Sequence, residues 1–554
     1  MVLALGLATA MPGRVQAEAG DDIFRGTNLL RIAITIAEPD AAQLGLTSPG
    51  GREPKPQARA TVREGGRTYR GVAVQLKGHS SYQPLEGTPS LTLDFNEHVP
   101  GQKFHGLTKI SLNNSLQDPT RLHEKLAREL FAAAGVPVPR ADHAIVTLNG
   151  RSLGLYVLLE GYGPGFLKRN FPDASGQFYE GGTLLDLDRG LQFKSGRDRA
   201  DHSAVERLIG AAREPDASRR WAALTNILDV DRFFSLVAVE AMLCHSDSYS
   251  MNRNNYRLYL DPAAQRFVFL PHGMDRILGT HRSESDLPLV PPAMGLVARA
   301  VLSTPEGRRR YVARAGSLFT NLFDPVRLGQ RVREIEAKIG PSRAAMPGDR
   351  QTWGNSSLQP EQDAADLCRR INRRVANLRL QFSQPENLLA RTPAAKFDPN
   401  GVAALMEWRV RFTPNQPPAE VTVTERDGRP WLRVRSLADV TRATLYCRLL
   451  LPAGNYGLAG ALAAEAPART NVPLTILRYH SSDRFTTERH RLGGRPAGFA
   501  FTVGATLPEE EIEFVAEVEG PGNEVWVDAS GLRLSRGETG PRNRRPRPSV
   551  RPAP

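Results

Sequence analysis

The segment Val230–Cys244 (VDRFFSLVAVEAMLC) constrains this chain most, because as a helix it would carry apolar residues over most of its surface. A helix with almost no polar face has to be enclosed by other elements, so a core must be built around it. It runs directly into His245–Gly279 (HSDSYSMNRNNYRLYLDPAAQRFVFLPHGMDRILG), a stretch holding a loop dense in Asn and Asp and then two apolar runs. The runs Tyr256–Leu260 and Arg266–Leu270 flank Asp261-Pro262, a turn signal, and read as a hairpin. The buried helix is therefore expected to deliver His245 and the polar loop to a cleft, and the hairpin to carry Asp275 back beside Asp247.

The spacing from Asp247 to Asn252 is that between the catalytic Asp and the magnesium-binding Asn of protein-kinase catalytic loops. Phosphoryl transfer asks little covalent chemistry of a protein. It needs one carboxylate to orient or deprotonate an acceptor hydroxyl, and oxygen ligands to hold magnesium against phosphates. Asp247 is the candidate catalytic group, with Asn252 and Asp275 as candidate metal ligands. Spacing alone does not separate this reading from ordinary turn chemistry, which also favours Asn and Asp.

Further motifs bear on the choice. DSYSMNRNNYRLYLDP and FVFLPHGMD, together with Leu76–Ser81 (LKGHSS), Ser90–Phe95 (SLTLDF), Leu107–Glu129 (LTKISLNNSLQDPTRLHEKLARE) and Pro139–Glu160 (PRADHAIVTLNGRSLGLYVLLE), follow one another in order. This series resembles the CotH kinase family, named for a spore coat protein. Its members carry a loop of the form Asp…Asn-x-x-Asn-x-Tyr-x-Tyr, followed by a strand ending in Pro-Trp-Asp-x-Asp. The resemblance spans roughly Asn28 to Gly279 and implies an atypical protein-kinase-like domain that uses ATP with Mg2+ or Mn2+. Two positions depart from the pattern. Pro271-His272-Gly273-Met274-Asp275 has glycine in place of one acid, and Thr88 stands where related chains commonly place lysine.

By the same resemblance Lys77, at the end of the strand AVQLK, would meet nucleotide phosphates, and Glu160 would mark a hinge contacting the adenine. The plainer readings are a strand capped by a solvated charge and a carboxylate anchoring a strand end. Asp118-Pro119-Thr120 is expected to cap a helix over Arg121–Ala134 that ends at Gly135, with Glu124 on its solvated side. Gly65-Gly66 and Asn149-Gly150 are hairpin turn signals. Ser48–Gln57, rich in Pro and Gly, reads as a loop.

With 554 residues the chain must hold more than one domain, and 40% hydrophobic with 24% charged residues is ordinary globular composition. The fold class expected is α+β: a kinase-like domain over 28–382, a linker over 383–400, an all-β jelly-roll-like sandwich over 401–536 and a basic tail over 537–554. Strands such as WLRVRS, GFAFTV, EIEFVAEVEG and EVWVDASGLRL carry the sandwich reading. Its pattern resembles carbohydrate-binding modules. Trp431, Tyr456, Tyr479 and Trp526 are candidates to stack on a sugar, against the commoner role of aromatic core. Arg308–Arg310 and Arg369–Arg374 read as solvated helix faces. Cys244, Cys368 and Cys447 show no metal-ligand pairing and read as buried and inert.

Residues 1–17 read as an export signal, and no other run approaches a membrane span, so the mature chain is expected in the periplasm or at the cell surface. A net charge of +13 suggests attraction to anionic polymers such as surface polysaccharide, and no nucleic-acid motif accompanies it. The expected partner is a protein acceptor substrate. The alternative is a non-catalytic surface or adhesion protein, a pseudokinase scaffold carrying a glycan- or partner-binding sandwich. Metal-dependent hydrolysis by Asp247, His272 and Asp275 is a third.

Overall fold

The computed structural model describes residues 18–47, 55–278, 287–290, 293–344, 364–390 and 392–405, and between 408 and 537 a series of strands with some adjoining turns. The expected export segment, most of the Ser48–Gln57 loop, Gly279 and the tail beyond 537 lie outside the described residues. Two compact units are present: one of 1–128, 139–172 and 334–359, the other of 129–138, 173–333 and 360–554.

In the first unit, seven strands make a closed barrel: β1 (Leu30–Ile36), β2 (Ala58–Glu64), β3 (Arg67–Lys77), β4 (Ser90–Asp94), β5 (Lys109–Asn113), β6 (Ala141–Leu148) and β7 (Arg151–Glu160). The order is β1-β2-β3-β4-β5-β7-β6, and parallel pairing of β1 with β6 closes it. β1, β2 and β5 alternate in burial while β3, β6 and β7 hold buried runs, and Ile32, Ile34, Val62, Val72, Val74, Leu91, Leu93, Leu112, Val146 and Leu158 fill the interior. Burying each such side chain contributes roughly 1.5–3 kcal/mol. The expected turns form at Gly65-Gly66 (φ 52° and 80°) and Asn149-Gly150 (φ 49° and 80°). Asn149 also closes the barrel: its Oδ1 accepts from Ile36 N at 2.7 Å and its Nδ2 donates to Ile36 O at 3.1 Å, both on β1.

The helix after the Asp118 turn, α1, runs over His123–Ala133, with Asp118 Oδ2 accepting from His123 N at 2.9 Å. Glu124 does not face solvent as the sequence suggested. It is 1% exposed and accepts from Arg128 Nε at 2.8 Å, because the face it lies on is covered by protein.

The second unit holds α2 (Val230–Met242) and a four-stranded sheet of β8 (Phe178–Glu180), β9 (Gln192–Ser195), β10 (Tyr256–Asp261) and β11 (Arg266–Pro271), in the order β11-β10-β8-β9. The hairpin pairs Tyr256 with Pro271 and Asp261 with Arg266. The helix α2 is capped by Asp229, whose side chain accepts from Arg232 N at 3.0 Å, and is buried over most of its length, as an all-apolar surface requires. Longer helices follow, among them α3 (Pro305–Leu322) and α4 (Ala364–Phe382).

The C-terminal strands form three antiparallel sheets rather than one pair. Phe501 meets Phe514 edge-on at 5.9 Å, so the first two sheets pack face to face as a sandwich. The stretch EVWVDASGLRL, expected as one closing strand, is divided between Glu524–Asp528 in the third sheet and Arg533–Arg536 in the first. Tyr456 is core: 2% exposed, stacked on Phe501 at 5.7 Å, with its hydroxyl donated to Pro452 O at 2.8 Å. The side chains of Tyr479 and Trp526 lie outside the described residues. The segment expected as a linker contains a short helix at Pro385–Leu389, and its backbone bonds to the sandwich, Ala395 N to Leu450 O at 3.1 Å and Leu450 N to Pro393 O at 2.8 Å. Arg308 is likewise buried, donating to Leu302 O at 3.2 Å and lying 3.4 Å from the Glu511 carboxylate. Cys244 and Cys447 are buried, whereas Cys368 is half-exposed.

Candidate functional site

The helix α2 ends in a tight reversal in which Cys244 takes φ 51° and His245 N donates to Glu240 O at 2.9 Å. What the sequence suggests is an open polar loop is instead a single helical turn, Tyr249–Asn252, entered at Ser248 and terminated by Arg253 at φ 54°. That turn folds Asn252 back over Asp247. Asp247 Oδ1 accepts from Asn252 Nδ2 at 2.9 Å and from Asn254 Nδ2 at 3.1 Å, and Oδ2 accepts from Asn255 Nδ2 at 3.0 Å. Asn255 also donates to the backbone oxygen of Asp247 at 2.9 Å. The half-buried carboxylate is thus oriented by three amides, which bring no charge with them.

The acidic loop after β11 is pinned to this segment at both ends. His272 N donates to Asn255 O at 2.9 Å, and Leu278 N donates to Leu243 O at 2.6 Å. Asp275, half-buried, sits between those pins, next to the fully buried Met274. Gly273 has φ 56°, and a Cβ there would come within 2.5 Å of Asn255 Oδ1. The position where related chains carry an acid is therefore one where Asn255 packs against bare backbone.

Glu240 is a residue the sequence reading missed, although a carboxylate within the apolar run 233–242 is a signal in itself. It lies beneath the helical turn and accepts from Ser250 Oγ at 2.5 Å and Ser250 N at 3.2 Å. Burial pushes its carboxyl up to about 7, against the opposing pull of those hydrogen bonds. Tyr249 anchors the same turn from the other side, its hydroxyl 3.3 Å from Asp186 Oδ1 and accepting from Val297 N at 3.0 Å. Asn254 and Asn255 were visible as turn formers, but their grip on Asp247 depends on the left-handed backbone at Arg253 and Asn255.

Lys77 and Glu160 belong to the first unit. Lys77 Nζ, half-buried at the end of β3, donates to Asn113 Oδ1 at 2.6 Å. Thr88 O accepts from Asn114 Nδ2 at 2.8 Å. Glu160 is enclosed by two guanidinium groups: Arg169 donates to both carboxylate oxygens, and Arg140 donates from Nε at 3.2 Å and Nη2 at 3.1 Å. Burial alone would raise its carboxyl, but the bonds and charge of Arg169, with Arg140, outweigh it and hold the group below the usual glutamate range. The backbone N–H groups of Glu160 and Gly161 are taken by Arg140 O at 2.9 Å and Lys109 O at 3.0 Å.

Among the described residues no three His, Cys, Asp or Glu side chains gather as a metal cage. Asp247, Asn252 and Asp275 offer hard oxygens instead. The bond from Asn252 to Asp247 uses its nitrogen, which leaves the amide oxygen as a ligand. Such a sparse oxygen set suits magnesium, which is commonly bound by one or two carboxylates plus substrate phosphates.

A family profile described as CotH kinase protein matches residues 74–378. The inner spore coat protein H of Bacillus subtilis (strain 168) is 24% identical over 257 residues, 43% of this chain and 69% of that protein. The invasin CotH2 of Rhizopus delemar is 23% identical over 260 residues, 42% of this chain, and the matched region spans 44% of that relative's length. Among solved structures, a family 61 carbohydrate-binding module in complex with β-1,4-galactotriose is 16% identical, covering 24% of this chain and 91% of that one, with a TM-score of 0.18. A family 29 carbohydrate-binding module mutant is 14% identical over 24% of this chain and 92% of that one, with a TM-score of 0.14. No helix among the described residues is long and apolar enough to cross a membrane.

Proposed function

The chain belongs to the CotH kinase protein family, and from that premise we propose that it transfers the γ-phosphoryl group of ATP to a hydroxyl of an exported or cell-surface protein. The observation that supports this most is Asp247, whose carboxylate is fixed in direction by three neutral amides, donors that bring no counter-charge. In the step, the acceptor oxygen forms a bond to the γ-phosphorus as the bond to the bridging oxygen of ADP breaks. Asp247 orients the attacking hydroxyl and takes its proton. Magnesium held by Asn252 and Asp275 would spread the charge developing on the phosphates. Glu160 holds the end of β7 through Arg140 and Arg169. The spore coat and invasin relatives favour an exported or surface location for the acceptor.

A second reading, a non-catalytic scaffold whose sandwich binds a glycan or a partner, draws on Gly273, where Asn255 fills the place of an acid. Incubating the purified chain with γ-labelled ATP and Mg2+ or Mn2+ separates the two. Label on the chain or on an added surface-protein acceptor, lost in Asp247→Ala and Asp275→Ala, supports transfer. Absence of both nucleotide binding and label from the wild type overturns it in favour of the scaffold.

A further inference from the structure

The arginine cluster on α4 is only partly the solvated face that its charge pattern suggests: Arg369 and Arg373 are exposed, whereas Arg370 is half-buried and Arg374 buried. Arg374 is fully buried, donating from Nε to Met242 O at 3.1 Å, from Nη2 to Ala241 O at 2.7 Å and from Nη1 to Leu287 O at 2.7 Å. One turn earlier on the same face, Arg370 donates from Nη1 to Leu278 O at 3.2 Å and Ile277 O at 3.4 Å, its Nε aimed by Asp366 Oδ2 at 2.9 Å. Met242 and Ala241 end the helix that precedes Asp247, whereas Ile277 and Leu278 end the loop that carries Asp275.

We propose that Arg370 and Arg374 are positioning residues that clamp the Asp275 loop to the C-terminal end of α2 and so set the spacing of Asp275 from Asp247. Terminal helix carbonyls have no partner within the helix and carry partial negative charge, and a buried guanidinium satisfies several of them with fixed geometry. Leu278 N reaching Leu243 O at 2.6 Å joins the two gripped segments directly. The arginines therefore act through main-chain carbonyls, and the clamp closes the far end of a loop whose near end is held by Asn255. The apolar packing of α4, through Leu367, Ile371 and Leu378, keeps the helix in place independently of Arg370.

The kinetic arm of the test rests on the phosphoryl-transfer reading, whereas the exchange arm does not. Full-length wild type is compared with Arg370→Met, Arg370→Lys and Arg369→Met, the last removing an exposed neighbour on the same helix. Amide hydrogen exchange at 275–278 is expected to quicken roughly tenfold in Arg370→Met, in line with loss of charge-assisted bonds. Turnover is expected to fall by about 10- to 100-fold, as for supporting residues around other sites, while KM for ATP and the melting temperature stay close to wild type. Arg370→Lys is expected to recover part of both losses, and Arg369→Met to change neither. Unchanged exchange at 275–278, or unchanged turnover beside quickened exchange, overturns the clamp. If the wild type transfers no phosphate, the phosphoryl-transfer reading fails and exchange alone decides the clamp.

Discussion

Two carboxylates, Asp247 in the turn after α2 and Glu160 at the end of β7, are each held by several donors and differ in what those donors carry. Glu160 is surrounded by the guanidinium groups of Arg140 and Arg169, which cancel its charge and lock the strand end. Asp247 is surrounded by the amides of Asn252, Asn254 and Asn255, which fix its direction and leave its charge in place. A neutralised carboxylate is a structural part, whereas an oriented but uncompensated one can accept a proton. The Glu160 carboxylate accepts five hydrogen bonds and that of Asp247 three, and the charge of the donors separates the two roles.

Substitutions can break this contrast from either side. Asp247→Ala should reduce phosphoryl transfer by roughly a thousandfold, the scale of a lost general base, while leaving the denaturant midpoint near wild type. Glu160→Gln should do the reverse. Leaving two part-buried guanidinium groups without their carboxylate should cost about 3 kcal/mol of stability in chemical denaturation, with any activity change following the folded fraction.

Glu160 also gives a pH signature. Its folded carboxyl is held below the ordinary value, so its contribution is present above the unfolded pKa and is lost as pH falls through the folded one. The acid limb of the wild-type stability curve, below pH ~4.3, should therefore flatten in Glu160→Gln.

Smaller changes sharpen the Asp247 side. Asn255→Ala removes two bonds to Asp247 and should slow transfer by about 10- to 30-fold, equivalent to about 1.5–2 kcal/mol, with nucleotide affinity little altered in a binding titration. Glu240→Gln tests the support below. Because burial raises the Glu240 carboxyl to about 7, the folded state keeps its proton while the unfolded chain releases it. Wild-type stability should therefore decline as pH rises from ~4.3 to about 7 and level off above, a slope that should shrink in the Gln variant.

Several parts of this architecture are legible in the amino-acid order. Val230–Cys244 announces a buried helix, the Asp261-Pro262 hairpin forms, and Gly65-Gly66 and Asn149-Gly150 turn as their conformational preferences require. Asp247 and Asn252, singled out by their spacing, are joined by a hydrogen bond. Glu124, Arg308 and Arg374 read as solvated and are buried, since their spacing on a helix says nothing about which other elements come to cover that face. The third sheet is not legible, because strand alternation shows that a face is buried without naming the partner.

Local stereochemistry is what the amino-acid order determined: where Asn and Gly admit a left-handed backbone, where Asp caps a helix, and which surfaces must leave water. Tertiary structure decided everything that joins residues distant along the chain. Asn149 was readable as a turn residue but not as the clasp that ties β1 into a closed barrel. Asp247 was readable as a candidate base, yet the pins at Leu243 and Asn255 and the grip of Arg370 and Arg374 come from elements brought together only on folding. Turn and cap preferences act over a few bonds and are written in adjacent residues. Long-range hydrogen bonds depend on burial, which the whole core sets at once.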